Sequence, residues 1–258
     1  AEVVKFYRDT HGVTFETLAP MNEPAADWWR YAGRQEGCGV AQGSEQSNLI
    51  LQTSLALKSR NLPTRVSAAD ESVNDWAVTG WDKLTQAAKN EVVRLNTHCY
   101  GGLSQLGVFH RATRDRKRLW MSEYGDGDAT GMTTAKQIVR DIRLMKPTAW
   151  VYWQVVEQVG YGWGMLEMDL NNLGKTITIN RKYYAFGNFT RFIRPGAQFI
   201  AIDRADSIAS LHNGQLTIVT VSDSDKWEDF DLSAFASVGS GVQVYRTSST
   251  HNLAVFPR

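Results

Sequence analysis

Two cysteines among 258 residues are too few for a disulfide scaffold. Cys38 and Cys99 fit no metal pattern either: no CxxC pair occurs, and His98 beside Cys99 is not a ligand set. A single bridge between them stays open. No apolar run is long enough to span a bilayer. Charge of one sign is also lacking, with Lys+Arg 28 against Asp+Glu 27, so nothing directs the chain to nucleic acid or to an anionic membrane. The start, Ala1-Glu2-Val3-Val4-Lys5, has no charged region followed by an apolar core, and the leader of a secreted protein would lie upstream of it. A glycine-rich phosphate loop is missing too. Its nearest approximation, Gly160-Tyr161-Gly162-Trp163-Gly164, is bulky where such a loop must be small, which argues against a doubly wound cofactor-binding domain.

What the chain does hold is a real core, at 43% hydrophobic residues, and many aromatics, with nine Trp, nine Tyr and ten Phe. Most such rings belong in cores, but flat indoles are also platforms for the apolar faces of sugars. β-like runs at 14–19, 64–69, 94–100, 118–124 and 149–155 are rich in Val, Thr, Phe, Trp and Tyr, and several are apolar on both faces. Helical spacing lies between them: Leu84, Ala87, Ala88 and Val92, then Ala135, Ile138, Val139, Ile142 and Met145, closed by Lys146-Pro147. Such alternation means βαβ units and a parallel sheet, either doubly wound or part of a (β/α)8 barrel. A helix at 181–193 ends at Arg194-Pro195-Gly196. Alternating runs follow at 199–202, 207–211, 216–221 and 242–245, with Asn213-Gly214 as a hairpin signal. Residues 1–194 thus read as α/β and 195–258 as a small antiparallel β domain.

Strand C-termini carry the site in a parallel barrel. Here they offer Asn22 and Glu23, Asp70 and Glu71, His98 and Tyr100, Glu123, and Trp153, Gln154 and Glu157. So many carboxylates at one rim are expensive for a merely structural core. Two stand out, in Asn22-Glu23-Pro24 and Ser122-Glu123-Tyr124. Retaining glycoside hydrolysis needs two carboxylates about 5–5.5 Å apart, one protonating the leaving oxygen and one attacking the anomeric carbon. Asn22 before the acid can bond the neighbouring sugar hydroxyl, and a Tyr or His on the intervening strand can keep the nucleophile ionised. Either glutamate alone reads equally well as a salt-bridge partner; the two together favour chemistry.

These two motifs resemble the acid/base and nucleophile motifs on the fourth and seventh strands of the large barrel clan of retaining glycosidases. Gln35-Glu36-Gly37-Cys38, Thr97-His98-Cys99-Tyr100-Gly101-Gly102, Trp150-Val151-Tyr152-Trp153-Gln154 and Tyr184–Gly196 resemble glycoside hydrolase family 30 over nearly the whole chain. The branch they look most like is the fungal endo-β-1,6-galactanases. The resemblance implies a (β/α)8 TIM barrel with strands 4–8 present here, then a β-sandwich domain. It implies Glu23 as acid/base and Glu123 as nucleophile, with substrate contacts or supports at Asn22, Asp70 (or Glu71), His98, Tyr100, Trp153, Glu157 and Trp163. Of Trp28 and Trp29, one is expected in the core, and Cys99 faces away from the site. The substrate would be a β-1,6-galactan polysaccharide or oligosaccharide, and no cofactor or metal is implied. The whole protein would be a secreted monomer. β-1,6-Glucanase, xylanase and glycosylceramidase specificities stay open, as does a binding protein that has lost catalysis. A full barrel needs eight strands in about 250 residues, so strands 1–3, with an arginine near the nucleophile, are expected upstream and the isolated chain is expected to be poorly stable. Asn188-Phe189-Thr190 is a glycosylation sequon for a secreted protein.

Overall fold

The parallel sheet expected from the alternating pattern is present in the computed structural model, which describes residues 1–29, 39–172 and 177–256. In chain order the first part runs α1 (Glu2–His11), β1 (Thr17–Leu18), α2 (Ser44–Lys58), β2 (Arg65–Glu71), α3 (Asn74–Lys83), α4 (Gln86–Glu91), β3 (Val92–His98), α5 (Gln105–Arg114), β4 (Arg118–Tyr124), α6 (Met132–Leu144) and β5 (Ala149–Tyr152). Strands β1 to β5 form one all-parallel sheet in sequence order. Only neighbouring strands joined by helical crossovers give that order. β2 and β3 are buried on both faces, although Asp70 and Glu71 in one and Arg94, Asn96 and His98 in the other are polar. The core that carries them includes Ile50, Leu57, Trp81, Leu95, Val108, Met121 and Met145.

Helix ends follow local chemistry. Gly12 takes the left-handed conformation, φ 66°, that closes α1. The helical spacing Leu84–Val92 is not one helix. The Thr85 hydroxyl accepts from Ala88 N at 3.2 Å and caps α4, which lasts only to Glu91, and Val92 already pairs with Val66 in the sheet. Leu84, Ala88 and Val92 are buried while Ala87 is exposed, so the spacing marked burial at three of its four positions and read a helix end and a strand start as one helix.

The chain then continues through β6 (Val156–Gln158), β7 (Leu166–Met168), β8 (Thr178–Ile179), α7 (Arg181–Thr190), β9 (Gln198–Ile200), β10 (Ser207–His212), β11 (Gln215–Thr220), β12 (Val244–Arg246) and β13 (Ala254–Phe256). β9, β10 and β11 make an antiparallel sheet, turned at Asn213-Gly214, whose φ values of 49° and 76° are those a two-residue hairpin needs. β12 and β13 form a separate two-stranded sheet. The sequon Asn188 lies within α7, where its Nδ2 donates to Tyr184 O at 2.9 Å and Thr247 Oγ1 at 2.7 Å. A glycan on that nitrogen would have to displace both acceptors.

Contacts divide the chain into two compact units, Ala1–Tyr124 with Leu144–Tyr152, and Gly125–Arg143 with Trp153–Arg258. The whole parallel sheet belongs to the first. Among the described residues no helix is long and apolar enough to cross a membrane.

Candidate active site

The ends of β2, β3 and β4 are irregular, and the irregularities make the site. Register shifts occur between Ala69 and Glu71, between Thr97 and His98, and between Met121 and Tyr124. An extra residue in a strand re-aims the side chains beside it. Asp70, at φ 56°, and Ser122 occupy those slips.

Glu23 does not end its strand. It lies five residues past Leu18 in a turn, at φ 47°, and its N–H donates to Asp70 O at 2.7 Å. Glu71 holds the same turn from behind. It is fully buried and accepts from Ala25 N at 3.1 Å and Gln46 Nε2 at 2.9 Å, which removes it from the sugar-contact candidates. Trp28 Nε1 donates to Glu23 Oε2 at 3.1 Å and Trp29 Nε1 to Glu23 O at 2.7 Å. Neither indole is buried, contrary to the expected core role of one of them, and Trp28 is 43% exposed.

Around this turn the expected residues converge. His98, 1% exposed, places Nδ1 3.2 Å from Glu23 Oε1 and 3.7 Å from Glu123 Oε1. Tyr100 donates its hydroxyl to Glu123 Oε1 at 3.0 Å, with its ring stacked on Tyr124 at 5.8 Å. Asp70 stands behind His98. It is 5% exposed, accepts from Ser122 Oγ at 2.6 Å and Asn96 Nδ2 at 3.1 Å, and has its Oδ1 3.9 Å from His98 Nε2. Arg94 in turn donates to Asn96 Oδ1 at 3.1 Å. Asn22 is exposed beside Glu23. The sequence reading gave no site role to Asn96 or Ser122, which lie one or two positions from residues it did assign, and did not assign Trp28 to Glu23.

Burial and charge act on each group. Burial opposes ionisation of Glu23, but the hydrogen bond and field of His98 outweigh it and hold this carboxyl below its ordinary range. Burial pushes Glu123 up, against His98 and Tyr100. Burial likewise raises Asp70. His98 itself is disfavoured as a cation by burial, yet Glu23, Glu123 and Asp70 surround it and its pKa rises. Burial and Glu123 push the Tyr100 hydroxyl far up, so it stays a donor. One atom each of Glu23, His98 and Glu123 lie within 4.8 Å of one another, the grouping among the described residues that a metal ion could also use.

A pH dependence follows. A raised folded-state pKa gives stability that is complete below the unfolded value, about 6.5 for His, and is lost as pH rises through the folded value. Replacing His98 by Gln should therefore cost more stability at roughly pH 6 than at roughly pH 9. Urea melts at the two pH values measure this, and a penalty that grew with pH would refute the cationic His98.

The remaining candidates lie together in the second unit. Trp153 is 43% exposed. Glu157 accepts from Gln154 Nε2 at 2.7 Å and from Gln158 N at 2.9 Å. Trp163 is half-buried over Gly125: a Cβ there would lie 3.0 Å from Trp163 Cε3 and 1.9 Å from Trp153 O, so no side chain fits. Gln35–Cys38 lie outside the described residues. Cys99 is buried with Sγ 3.2 Å from Asn74 Oδ1.

This cluster lies on the C-terminal edge of a parallel sheet, and comparison with known proteins shows that the chain is a glycoside hydrolase homologue. The chain is 33% identical over 255 residues to an endo-β-1,6-galactanase of Hypocrea rufa, an alignment covering 96% of this chain and 52% of that protein. Among solved structures, it matches the family 30 subfamily 8 xylanase Xyn30A of Clostridium acetobutylicum with TM-score 0.75 at 19% identity, over 99% of this chain and 63% of that one. A family 30 endoxylanase of Clostridium papyrosolvens matches with TM-score 0.70 at 21% identity, over 98% and 62%. An endo-β1,6-glucanase matches with TM-score 0.64 at 16% identity, over 82% and 52%. No family model matches the chain. The chain is thus a homologue of an endo-β-1,6-galactanase, and its sheet is a parallel half-barrel like that of the catalytic domains of family 30 glycoside hydrolases. It spans about half the length of the curated relative it matches.

Proposed function

We propose that this chain carries the acid/base, Glu23, and the nucleophile, Glu123, of a retaining endo-glycosidase that cleaves β-1,6-linked galactan by double displacement. The observation that carries this reading is the spacing. Oxygens of the two carboxylates come within 4.8 Å of each other from different segments of one rigid framework. That suits the ~5–5.5 Å separation of retaining enzymes better than the roughly 6.5–9.5 Å at which inverting enzymes hold a water between carboxyls.

In the first step Glu123 attacks the anomeric carbon, forming a glycosyl ester, while Glu23 gives its proton to the departing oxygen. In the second Glu23 takes a proton from water, which attacks the same carbon and releases Glu123. Tyr100 donates to Glu123 and favours its charged form before attack. The resting directions, Glu23 lowered and Glu123 raised, are the reverse of what the two roles require at the first step. The roles therefore rest on Tyr100, on the Asn22-Glu23 motif and on the relatives, and the chemistry of the products separates them. Asp70 is a support that orients His98, and Asn22, Trp153, Glu157 and Trp163 are sugar contacts. In the whole protein, residues 1–194 belong to a (β/α)8 barrel and 195–258 to a β-sandwich, and the enzyme is a secreted monomer.

The substrate comes from the Hypocrea rufa relative. Given β-1,6-galactan, β-1,6-glucan and xylan at equal mass, the full-length protein should release oligosaccharides from galactan at least about tenfold faster, since a site that bonds a sugar hydroxyl rejects an epimer that misplaces it. Reducing-end assays with product sizing test this. Faster release from glucan or xylan would assign one of the alternative specificities.

A further inference from the structure

Among the described residues, the most heavily buried cation outside the catalytic group is Lys182, at the start of α7, with no solvent exposure. Its Nζ donates to Asp126 O and, at 2.9 Å, to Gly162 O, and it lies 3.1 Å from Asp126 Oδ1. Two backbone carbonyls thus accept hydrogen bonds from the ammonium, and one carboxylate balances its charge. They come from two loops, one just after β4 and one between β6 and β7. A buried ion pair contributes little net stability compared with a well-packed apolar residue, so stability alone gives no reason for a lysine here.

What the lysine fixes is the seat of one aromatic ring. Gly162 O belongs to the peptide group that leads into Trp163. Asp126 lies between Gly125 and Gly127, whose backbone forms the floor beneath the Trp163 indole: a Cβ at Gly125 would be 3.0 Å from Cε3, and one at Gly127 3.8 Å from Nε1. The loops touch directly, since a Cβ at Gly162 would lie 2.6 Å from Gly127 O. Both ends of the clamp are anchored in turn. Thr134 Oγ1 donates to Asp126 Oδ2 at 2.7 Å, and Gly162 N donates to Glu167 Oε1 at 2.6 Å. Lys182 therefore holds the ring and its floor with one charged group.

We propose that Lys182 is a positioning residue that sets the stance of Trp163 as a sugar platform, and so governs how tightly the polymer is held. The inference rests on the reading of Trp163 as a substrate contact. In the full-length protein, Trp163→Ala should raise KM on β-1,6-galactan about tenfold, the size of one aromatic stacking contact. Lys182→Met should raise KM by a similar factor with kcat per folded molecule nearly kept. The double variant should be no worse than Trp163→Ala alone, because the two act through one contact. A general loss of fold would instead lower kcat in step with the folded fraction.

A second readout needs no turnover. The near-ultraviolet circular dichroism that Trp163→Ala removes should be the same component that Lys182→Met removes. Asp126→Asn, which keeps the backbone carbonyls, should weaken it even if Lys182→Met fails to fold. If Trp163→Ala raises KM while Lys182→Met leaves KM and the dichroism untouched, the clamp is refuted and the platform stands. Additive KM effects in the double variant also refute it. If Trp163→Ala leaves KM unchanged, the platform reading itself fails.

Discussion

Glu123→Ala in the full-length protein should lower turnover of galactan by on the order of 10⁴- to 10⁶-fold, as removal of a catalytic nucleophile does. That is about 5–8 kcal/mol of transition-state stabilisation. The reason is geometric. Glu123 is the carboxylate that Tyr100 addresses at 3.0 Å, and among the described residues Glu23 is the carboxylate grouped with it and His98 within 4.8 Å. Removing the carboxylate opens a space on the face of the sugar opposite the leaving group. Azide fits there and attacks the anomeric carbon once, so the rescued product should have inverted configuration. Circular dichroism will report the fold, because Glu123 is at the end of β4 and carries no packing load comparable to Met121 or Leu119. A Glu123→Ala variant that kept near wild-type turnover would end the assignment.

The sheet was legible in the sequence because a parallel strand covered on both faces leaves a run of Val, Ala, Leu and Thr with few interruptions. β2 keeps that pattern at Val66, Ala68 and Ala69 and β3 at Val92, Val93, Leu95 and Thr97, and their ranges follow the reading within a few residues. The hairpin at Asn213-Gly214 was legible because those residues tolerate the positive φ it demands. The helix around Leu84–Val92 was misread because burial on one side of a helix and burial in a strand leave the same residues in a short segment. Only the cap at Thr85 separates them.

The two glutamates were legible as motifs, but the construction that brings them together was not. Three register slips decide which way Asp70, His98 and Ser122 point, and a slip has no signature in composition. Glu71 is adjacent in sequence to Asp70 but serves the opposite side, bonding the turn that carries Glu23. Alternation along β2 predicts that the two differ and does not say which faces the sugar. One of Trp28 and Trp29 was read as core by the rule that large rings pack inward, and the turn sends both indole N–H groups to Glu23 instead.

Glu23→Ala is the sharper test of role, because the resting titration leaves the two glutamates open to exchange. Loss of a general acid costs roughly 10²- to 10⁴-fold, and the cost depends on how much help the leaving group needs. With galactan, whose leaving group is a sugar alkoxide, the loss should be near the top of that range. With an aryl glycoside of low leaving-group pKa, formation of the glycosyl ester should be nearly spared, so a burst of phenol equal to the enzyme should precede slow turnover. Azide should again accelerate the reaction, but by attacking the glycosyl ester on Glu123, and its product should have retained configuration. The alkaline limb of the pH–rate profile, which reports loss of the proton from the acid, should disappear with Glu23. His98, Trp28 and Asp70 remain in this variant, so an effect on Glu23 is not one on the group behind it. If the configurations came out exchanged, with retained product from Glu123→Ala and inverted product from Glu23→Ala, the roles would be reversed. The carboxyl that His98 holds low would then be the nucleophile, and the one that burial holds high, bonded by Tyr100, would be the acid.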